Sequence, residues 1–191
     1  MLKPNPQAMD FLANRRSRPG KTLVAPAPSR DALRPILDAG LRVPDHGKLE
    51  PWRLIVLGTA ACVRLSETLP DIGGAEGIES EKIEKERGIW SRAPMVVAVV
   101  ASPVPSEKIP AIEQVYSAGA VCLSLVNAAL ASGWGANWLT AWPAYSDGFS
   151  EALGLAKTES VAGFIHLGTE GKVPPERPRP GLDAKVSWVT E

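Results

Sequence analysis

Apolar residues recur along the chain with two different spacings, and these spacings predict both helices and strands. Repeats of three and four residues are typical of an amphipathic helix, whereas short β-branched or alternating runs between turn residues are typical of a strand. The helical spacing predicts helices at 6–16, 29–41, 59–69, 79–87, 112–132 and 150–155. The strand patterns predict strands at 52–57, 95–100, 134–139, 161–167 and 186–189.

Polar caps, prolines and glycines indicate where several helices begin and end. Asn5 before Pro6 favours a helix start, because the asparagine side chain can accept a first-turn amide and proline has no amide to leave unpaired there. Ser150 is expected to cap the short helix, and Gly133 to end the long apolar one. Pro35 removes a backbone donor, so a kink or a shifted start is expected in the second helix.

The order of these elements favours an α+β fold. The run 95–100 is β-branched and unbroken, so it is expected to be a central strand covered on both faces. Segment 112–132 has apolar or small residues at nearly every helical position, which predicts a buried central helix. Few strand-helix-strand units are regular, so we expect an α+β arrangement instead of a doubly wound parallel sheet. The proline-rich segment 171–191 is expected to be an extended tail that can cross to a partner chain.

Length and charge narrow the classes of protein that fit this pattern. With 191 residues and 45% apolar content, the chain is expected to form a single domain over 1–191. Lysine plus arginine equals aspartate plus glutamate at 21 each, so no overall charge attracts nucleic acid or an anionic membrane. The start has no apolar leader, and the longest aliphatic run, 95–101, is shorter than the roughly 20 residues of a membrane span. A cytoplasmic protein is expected.

The two cysteines and two histidines argue against a metal centre. Cys62 and Cys122 stand far apart without a CxxC pair, so both are expected to be reduced, buried and structural. With only His46 and His166, a multi-histidine site would need carboxylates from scattered positions, and no metal site is predicted. His166 lies inside an apolar strand and is expected to be a neutral, buried imidazole with a backbone partner.

Signatures of several common enzyme classes are absent from the sequence. There is no GxGxxG, GxxxxGK[ST], HExxH or GxSxG. Rossmann dinucleotide binding, P-loop hydrolysis and α/β-hydrolase chemistry therefore lose most of their support.

Three consecutive residues at the end of the first predicted helix are suited to binding phosphate. In Arg15-Arg16-Ser17, two guanidiniums beside a hydroxyl can hold a phosphate by forked, charge-assisted hydrogen bonds. Basic residues at a helix C-terminus are also favoured by the helix dipole. Taken alone, the triplet therefore leaves a purely structural role open.

A second segment makes the interpretation specific. Leu41 to Arg53 is a polar loop that contains Pro44-Asp45-His46 and leads through Trp52 into a predicted strand. Placed about 25 residues after Arg-Arg-Ser, this combination resembles the nitroreductase family, and the Pro-Asp-His version is similar to the short branch of small FMN-dependent reductases. The resemblance covers nearly the whole chain through six islands in order: Arg-Arg-Ser, the Pro-Asp-His loop, the small-residue helix, Gly-Trp-Gly-Ala-Asn-Trp, Gly-Phe-Ile-His-Leu-Gly-Thr and the proline-rich basic tail.

The resemblance implies an FMN-dependent NAD(P)H oxidoreductase that works as a domain-swapped homodimer with a mostly antiparallel sheet. By similarity, Arg15, Arg16 and Ser17 engage the FMN phosphate and ribityl chain. Arg42 and His46 are expected to reach the flavin from the partner subunit. The surplus of apolar and small residues in the predicted central helix is consistent with a dimer, because one modest core cannot easily bury them all.

The same resemblance assigns the flavin ring and a second phosphate contact. The isoalloxazine pocket is expected to be lined by Trp138, Leu139 and Thr140. Gly168 and Thr169 are expected to end a strand near the flavin. Arg177 or Arg179 of the tail is expected to add a further cationic contact to the phosphate. Trp138 and His46 each have a plainer alternative, as a core side chain and an ordinary loop histidine.

The implied chemistry is a ping-pong cycle in which NAD(P)H reduces the flavin and then a nitroaromatic or quinone-like acceptor takes the electrons in the same place. Since the cofactor carries this chemistry, no catalytic acid or base is predicted in the chain. Asp45 and Lys48 replace the serine and asparagine of the commoner family loop, which puts the usual substrate contacts in doubt. Two alternatives remain: a flavin-binding protein without nitroreductase turnover, such as a biosynthetic dehydrogenase or a regulatory flavin holder, and a cofactor-free interaction module.

Overall fold

The computed structural model describes residues 3–190. Residues 1 and 2, for which no apolar leader was expected, and residue 191, the last of the predicted tail, lie outside the described residues. The described chain contains six α-helices: α1 (Pro6–Asn14), α2 (Arg30–Gly40), α3 (Thr59–Ala75), α4 (Ser80–Trp90), α5 (Ala111–Ala131) and α6 (Asp147–Ala152). Its five strands are β1 (Leu23–Val24), β2 (Trp52–Gly58), β3 (Met95–Ala101), β4 (Gly135–Leu139) and β5 (Ser160–Glu170). Short 3₁₀ turns lie at Gly20–Thr22, His46–Lys48, Trp142–Tyr145 and Leu182–Ala184.

The strands form one antiparallel sheet at the centre of the fold. β5 pairs with β3 along one side and with β4 and β1 along the other, and β2 pairs with the far side of β3. Every described pairing is antiparallel. The predicted α+β class with a mostly antiparallel sheet flanked by helices is therefore confirmed.

Helices cover both faces of this sheet and create two apolar cores. Because successive strand residues point to opposite faces, Val97 and Val99 enter the core under α2 and α5, whereas Val96 and Ala98 enter the core under α3, α4 and α6. In the second core, Trp90 packs edge-to-face against other aromatic rings at a centroid distance of about 5 Å. Burial on both faces explains why this strand is an unbroken β-branched run.

Helix α5 is the central helix that the sequence predicts. Val121, Leu125 and Ala129 face the first core and are fully or almost fully buried. By length and composition alone α5 is long and apolar enough to cross a membrane, but its packing against the sheet identifies it as a core helix. Gly133 follows it with φ of 82°, a left-handed conformation that suits glycine and ends the helix as predicted.

The first two helices begin at side-chain caps. The Oδ1 atom of Asn5 accepts the amide of Ala8 at 3.1 Å, so the predicted start of α1 is confirmed. The hydroxyl of Ser29 accepts the amide of Ala32 at 3.3 Å, and α2 continues through Pro35 to Gly40. The proline is accommodated within a single helix.

Two helices differ from their predicted bounds for reasons that the structure explains, and α4 also continues three residues beyond its predicted end, to Trp90. α3 does not end at residue 69 but continues through Gly73 to Ala75. At Gly73 a Cβ atom would lie 2.7 Å from the side chain of Ile83, so this glycine serves close packing of α3 against α4 and does not break the helix. α6 begins at Asp147, because the hydroxyl of Ser146, and not that of Ser150, accepts a first-turn amide.

Three strands also differ from prediction, and the first of them is β5, which continues three residues beyond its predicted end, to Glu170. β1 lies in a segment for which the sequence pattern predicted no strand, and it consists of two residues paired with the end of β5. Residues 186–189 form no strand in the described chain, and Trp188 and Val189 are more than four-fifths exposed. A strand needs a neighbour to satisfy its backbone groups, which local residue preferences cannot supply.

The cysteines and His166 are buried as predicted. Burial raises the pKa of the Cys62 thiol to about 11 and that of Cys122 to about 12, so both are unreactive thiols. Burial lowers the pKa of His166 to about 4, so its imidazole is neutral near pH 7. Its Nδ1 atom has no hydrogen-bond partner among residues 3–190, so the predicted backbone contact is not made at this nitrogen in the described chain.

Candidate functional site

The Arg-Arg-Ser segment follows α1 as extended chain beside the sheet. α1 ends at Asn14, two residues before the predicted end, and the amide of Arg15 donates to the carbonyl of Phe11 at 2.8 Å. The amide of Arg18 donates to the carbonyl of Ala136 in β4 at 2.9 Å. Both ends of the segment are thus attached to regular structure, which holds the arginines between α1 and β4.

Four guanidinium groups come together at this segment. Nη2 of Arg15 donates to the hydroxyl of Ser17 at 2.9 Å. Partial burial lowers the pKa of Arg15, and the positive charges of Arg179, Arg16 and Arg18 lower it further. The structure therefore brings the predicted tail residue Arg179 to the predicted triplet. We call Arg15, Arg16, Arg18 and Arg179 the cationic cluster.

Two members of the cationic cluster have acidic partners. Arg18 forms an ion pair with Glu170 at the end of β5, and Nη2 of Arg179 lies 3.1 Å from a carboxylate oxygen of Glu176. The pKa of Glu176 is lowered chiefly by the hydrogen bond that the backbone N–H of Arg177 donates to its carboxylate. The positive charges of Arg179 and Arg16 lower it further. Four guanidiniums against two carboxylates leave two positive charges, which matches a phosphate monoester of charge about −1.5 to −2.

The two remaining members of the cluster carry unsatisfied donors. The Nε atoms of Arg15 and Arg16 are buried and have no hydrogen-bond partner among the described residues. An unpaired buried donor costs about 1 to 3 kcal/mol, and more when it is charged. A ligand that brings anionic oxygens to these two atoms would recover that free energy, so the residues present fit the phosphate of FMN.

The end of β4 carries the residues predicted to line the isoalloxazine pocket. The Trp138 indole N–H donates to the carbonyl of Ala162 at 3.3 Å, and its ring lies so close over Gly163 that a Cβ atom there would be 2.0 Å from Nε1. Leu139 contacts Gly20 on the other face of the sheet, and Thr140 follows half-buried. Because neighbouring strand residues point to opposite faces, the side chains of Trp138 and Leu139 do not form one wall within this subunit.

Packing explains the two predicted residues at the end of β5. A Cβ atom at Gly168 would lie 2.9 Å from the carbonyl oxygen of Val24, so the glycine allows β1 to approach β5. The Thr169 hydroxyl donates to the carbonyl of Pro26 at 2.8 Å. These residues lie next to Glu170, the ion-pair partner of Arg18, and thereby border the cationic cluster.

The Pro-Asp-His loop is a compact turn after α2. Both carboxylate oxygens of Asp45 accept backbone amides, from Leu49 at 3.2 Å and from Glu50 at 2.9 Å. Gly47 and Lys48 have φ of 75° and 55°, which is the left-handed region. Asp45 therefore has a structural role in the turn that the sequence interpretation, which treated it as a change near the substrate, did not include.

The loop attaches to the first turns of α5. Nδ1 of His46 lies 2.7 Å from a carboxylate oxygen of Glu113, and the Ser117 hydroxyl donates to the carbonyl of Pro44 at 2.7 Å. A cleft of about 350 Å³ lies here, lined by Pro44, His46, Glu113, Tyr116, Ser117 and Ala120. Arg42 is exposed between α2 and this loop.

The loop and the cationic cluster lie at opposite ends of α5. The loop contacts Ser117, whereas Arg18 lines a small pocket together with Leu130 and Gly133. Thirteen residues separate Ser117 from Leu130, and at 1.5 Å per residue the two contacts are about 20 Å apart along the helix. Within one subunit the structure therefore does not bring Arg42 and His46 to the predicted phosphate-binding residues.

Several residues of the two groups were missed in the sequence. Arg18 continues the basic run and could have been included by charge alone. Glu170 and Glu113 lie far along the chain from the residues they pair with, so only the fold identifies them. Within residues 3–190, no three His, Cys, Asp or Glu side chains cluster in a way that could hold a metal ion.

Comparison with known proteins agrees with this fold. The model of the "Nitroreductase family" matches residues 12–169. A protein of Escherichia coli strain K12 named "Putative NAD(P)H nitroreductase YdjA" is 36% identical over 162 residues, which cover 85% of this chain and 87% of that protein.

Solved structures share the architecture over almost the full chain. A nitroreductase-like family protein from Bacillus cereus superposes with a TM-score of 0.84 at 20% identity and 99% coverage of both chains. A Desulfovibrio desulfuricans nitroreductase-type protein crystallised with FMN superposes with a TM-score of 0.75 at 21% identity, covering 99% of this chain and 100% of that chain. Together with the family match and the E. coli relative, the antiparallel sheet shows that this chain belongs to the nitroreductase family.

Proposed function

We propose that this protein is an FMN-dependent NAD(P)H oxidoreductase that reduces nitroaromatic or quinone-like acceptors. The observation that carries the proposal is that the buried Nε atoms of Arg15 and Arg16 have no partner in the part of the chain that the structure describes, within a cluster that has two surplus positive charges. The name of the E. coli relative includes NAD(P)H nitroreductase, and the D. desulfuricans protein was crystallised with FMN, which supports the same donor and cofactor here.

The chain's own residues would bind and orient the cofactor. Arg15 and Arg16 would hold the phosphate with the hydroxyl of Ser17, and Arg179 would approach it from the tail. The side chain of Trp138, which is 39% exposed, offers a flat apolar surface for a ring. When bound, FMN supplies hydride acceptance from NAD(P)H and electron delivery to the acceptor in two successive half-reactions.

We further propose that the protein is a homodimer built around α5. Tyr116 and Leu123 on the face of α5 away from the sheet are 68% and 48% exposed, and the small residues Gly119 and Ala120 lie between them. Monomeric proteins seldom expose such a contiguous apolar surface. Two α5 helices packed antiparallel about a two-fold axis would put each Pro-Asp-His loop beside the partner's cationic cluster. The loop and the cluster, which lie about 20 Å apart along α5 within one subunit, would then meet between subunits.

The exposed ends of the chain are consistent with this dimer. Met9 and Leu12 of α1 are 65% and 54% exposed, and α1 contributes no buried residue to its own subunit. Trp188 and Val189 in the tail are exposed as well. We propose that the part of the tail after Arg179 crosses to the partner, where the side chains of Trp188 and Val189 would be covered.

Replacing Leu123 by glutamate is expected to convert the dimer into a monomer that binds FMN at least tenfold more weakly. Burying two carboxylates at a two-fold interface is unfavourable, and a tenfold loss corresponds to about 1.4 kcal/mol. Sedimentation velocity and an FMN titration would measure both effects. Val63→Glu on the exposed side of α3 is the matched control, because Val63 is also an exposed apolar helix residue. A Leu123→Glu dimer with unchanged FMN affinity would contradict the interface.

The oxidoreductase itself is tested by anaerobic reduction. The purified protein is expected to be yellow, to bleach rapidly when NADH or NADPH is added without oxygen, and to regain colour when a nitroaromatic or quinone follows. A yellow protein that neither donor bleaches would instead favour a flavin holder or a dehydrogenase with another donor. A colourless protein that takes up no added FMN would favour the cofactor-free module.

A further inference from the structure

We infer that Glu113 is a positioning residue that fixes the imidazole of His46 for its contact with the flavin of the partner subunit. This inference rests on the proposed function, since His46 is assigned to the flavin only there. The observation behind it is the 2.7 Å distance between Nδ1 of His46 and a carboxylate oxygen of Glu113. Nothing in the sequence pattern links these residues, which lie 67 positions apart.

The hydrogen bond selects one arrangement of the ring proton. A carboxylate only accepts hydrogen bonds, so Nδ1 of His46 must carry the proton that is donated to Glu113. The tautomer of a histidine is set by the hydrogen bond that one of its nitrogens makes. Nε2 is therefore the nitrogen that remains for a contact outside the subunit.

The surrounding contacts make the loop a defined platform for this ring. The Ser117 hydroxyl, one helical turn after Glu113, donates to the carbonyl of Pro44 at 2.7 Å. The indole of Trp52 in turn donates to that hydroxyl at 3.0 Å. The backbone at Pro44 and the imidazole of His46 are thus held by adjacent turns of α5, through Ser117 and Glu113. One rigid helix therefore sets the position of the imidazole relative to the loop backbone.

Exposure of the pair argues against a role in folding. The side chains of His46 and Glu113 are 65% and 44% exposed, and ion pairs at such exposure contribute little to stability. They border the 350 Å³ cleft together with Tyr116 and Ala120, on the α5 surface proposed to face the partner. Orientation of the His46 imidazole beside the cleft therefore explains the hydrogen bond to Glu113 better than a contribution to folding stability does.

The ring proton of His46 provides the test, because the chain has only two histidines. Long-range ¹H–¹⁵N correlation spectra of cofactor-free protein, recorded where both imidazoles are neutral, distinguish Nδ1–H from Nε2–H. We expect the Nδ1–H form for His46 in the wild type and a fall in its population by about twofold or more in Glu113→Ala. Glu113→Gln, whose carbonyl oxygen still accepts a hydrogen bond, is expected to restore the Nδ1–H form.

An FMN titration of the same proteins connects the ring to the cofactor. Glu113→Ala is expected to weaken FMN binding by roughly threefold to tenfold, the scale of losing one hydrogen bond, and Glu113→Gln is expected to recover most of it. Glu84→Ala on α4 is the control, since it removes an exposed carboxylate paired with Arg87 and should change neither the tautomer nor the affinity.

The outcomes separate this inference from the proposed function. An unchanged His46 tautomer in Glu113→Ala would overturn the positioning role. A changed tautomer with wild-type FMN affinity would overturn the connection to the flavin while leaving the oxidoreductase proposal intact. Failure of the wild type itself to take up FMN would overturn the proposed function, and the tautomer measurement would then still report the contact within the subunit.

Discussion

Replacing Arg15 by alanine is expected to weaken FMN binding by about 1 to 3 kcal/mol, which is about 5-fold to 150-fold in the dissociation constant. The Arg15 guanidinium is partly buried beside Arg16, Arg18 and Arg179, so its positive charge raises the free energy of the cluster without a ligand. Its Nε atom has no partner among residues 3–190. A bound phosphate would reduce the repulsion among the guanidiniums and would accept a hydrogen bond from Nε of Arg15. The alanine variant lacks both of these contributions to the free energy of FMN binding.

Isothermal titration of flavin-free protein with FMN would measure this loss. Arg64→Ala is a matched control, because Arg64 is an exposed arginine of α3 and its removal should leave the affinity unchanged. The control also separates a local effect from a change in overall charge. Equal affinities for the wild type and Arg15→Ala would mean that the phosphate binds elsewhere, and the assignment of the cationic cluster would be lost.

The sequence predicted elements most reliably where burial dominates the residue pattern. Successive side chains of β3 point alternately into the two cores, so every position requires an apolar residue. This produces an uninterrupted apolar run in the sequence. α5 packs one face on the sheet and exposes apolar residues on another, so it is apolar around most of its circumference. In both cases the local pattern and the tertiary environment impose the same requirement.

Prediction failed where a distant contact decided the local structure. Gly73 lies in a helix because α4 packs against it through Ile83, although glycine is unfavourable in helices generally. β1 exists because Gly168 and Gly171 let its backbone approach β5, and two residues leave no periodic signal. Such pairings cannot be read from a window of neighbouring residues.

The residues of the candidate site likewise fall into those that could be proposed from the sequence and those that only the tertiary structure identified. Arg15, Arg16 and Ser17 were proposed as phosphate ligands from their residue types together with the resemblance to the nitroreductase family, since adjacent guanidiniums and a hydroxyl suit a phosphate. The resemblance also proposed Arg179, whereas Glu170, the ion-pair partner of Arg18, required the tertiary structure. The placement of the Trp138 and Leu139 side chains on opposite faces of the sheet follows from the twofold period of a strand, so this placement could have been stated from the sequence.

Acidification is expected to destabilise the protein through His166, by about 3 kcal/mol between pH 6.5 and pH 4. The ring is 2% exposed and lies 5.9 Å from the Trp90 ring between aromatic and apolar neighbours. Burial lowers its pKa from 6.5 to about 4 because the charged form is poorly solvated there.

The sign of this effect follows from the direction of the shift. Well above pH 6.5 the imidazole is neutral in both the folded and the unfolded chain and contributes no pH dependence. As the pH falls from 6.5 towards 4, the unfolded chain binds a proton that the folded chain excludes, so the free energy of unfolding decreases. Below about pH 4 both states are protonated and the contribution levels off.

Urea unfolding at neutral pH and near pH 4 would measure the effect in the wild type and in His166→Phe, whose ring cannot titrate. The variant should lose about 3 kcal/mol less stability than the wild type over this interval, although it can differ from the wild type at neutral pH through altered packing. Buried Glu86 and other acids also titrate, but they are common to both proteins and cancel in the comparison. Equal losses in the wild type and His166→Phe would show that the protonated ring is accommodated in the core, and burial could then not be the force that keeps it neutral.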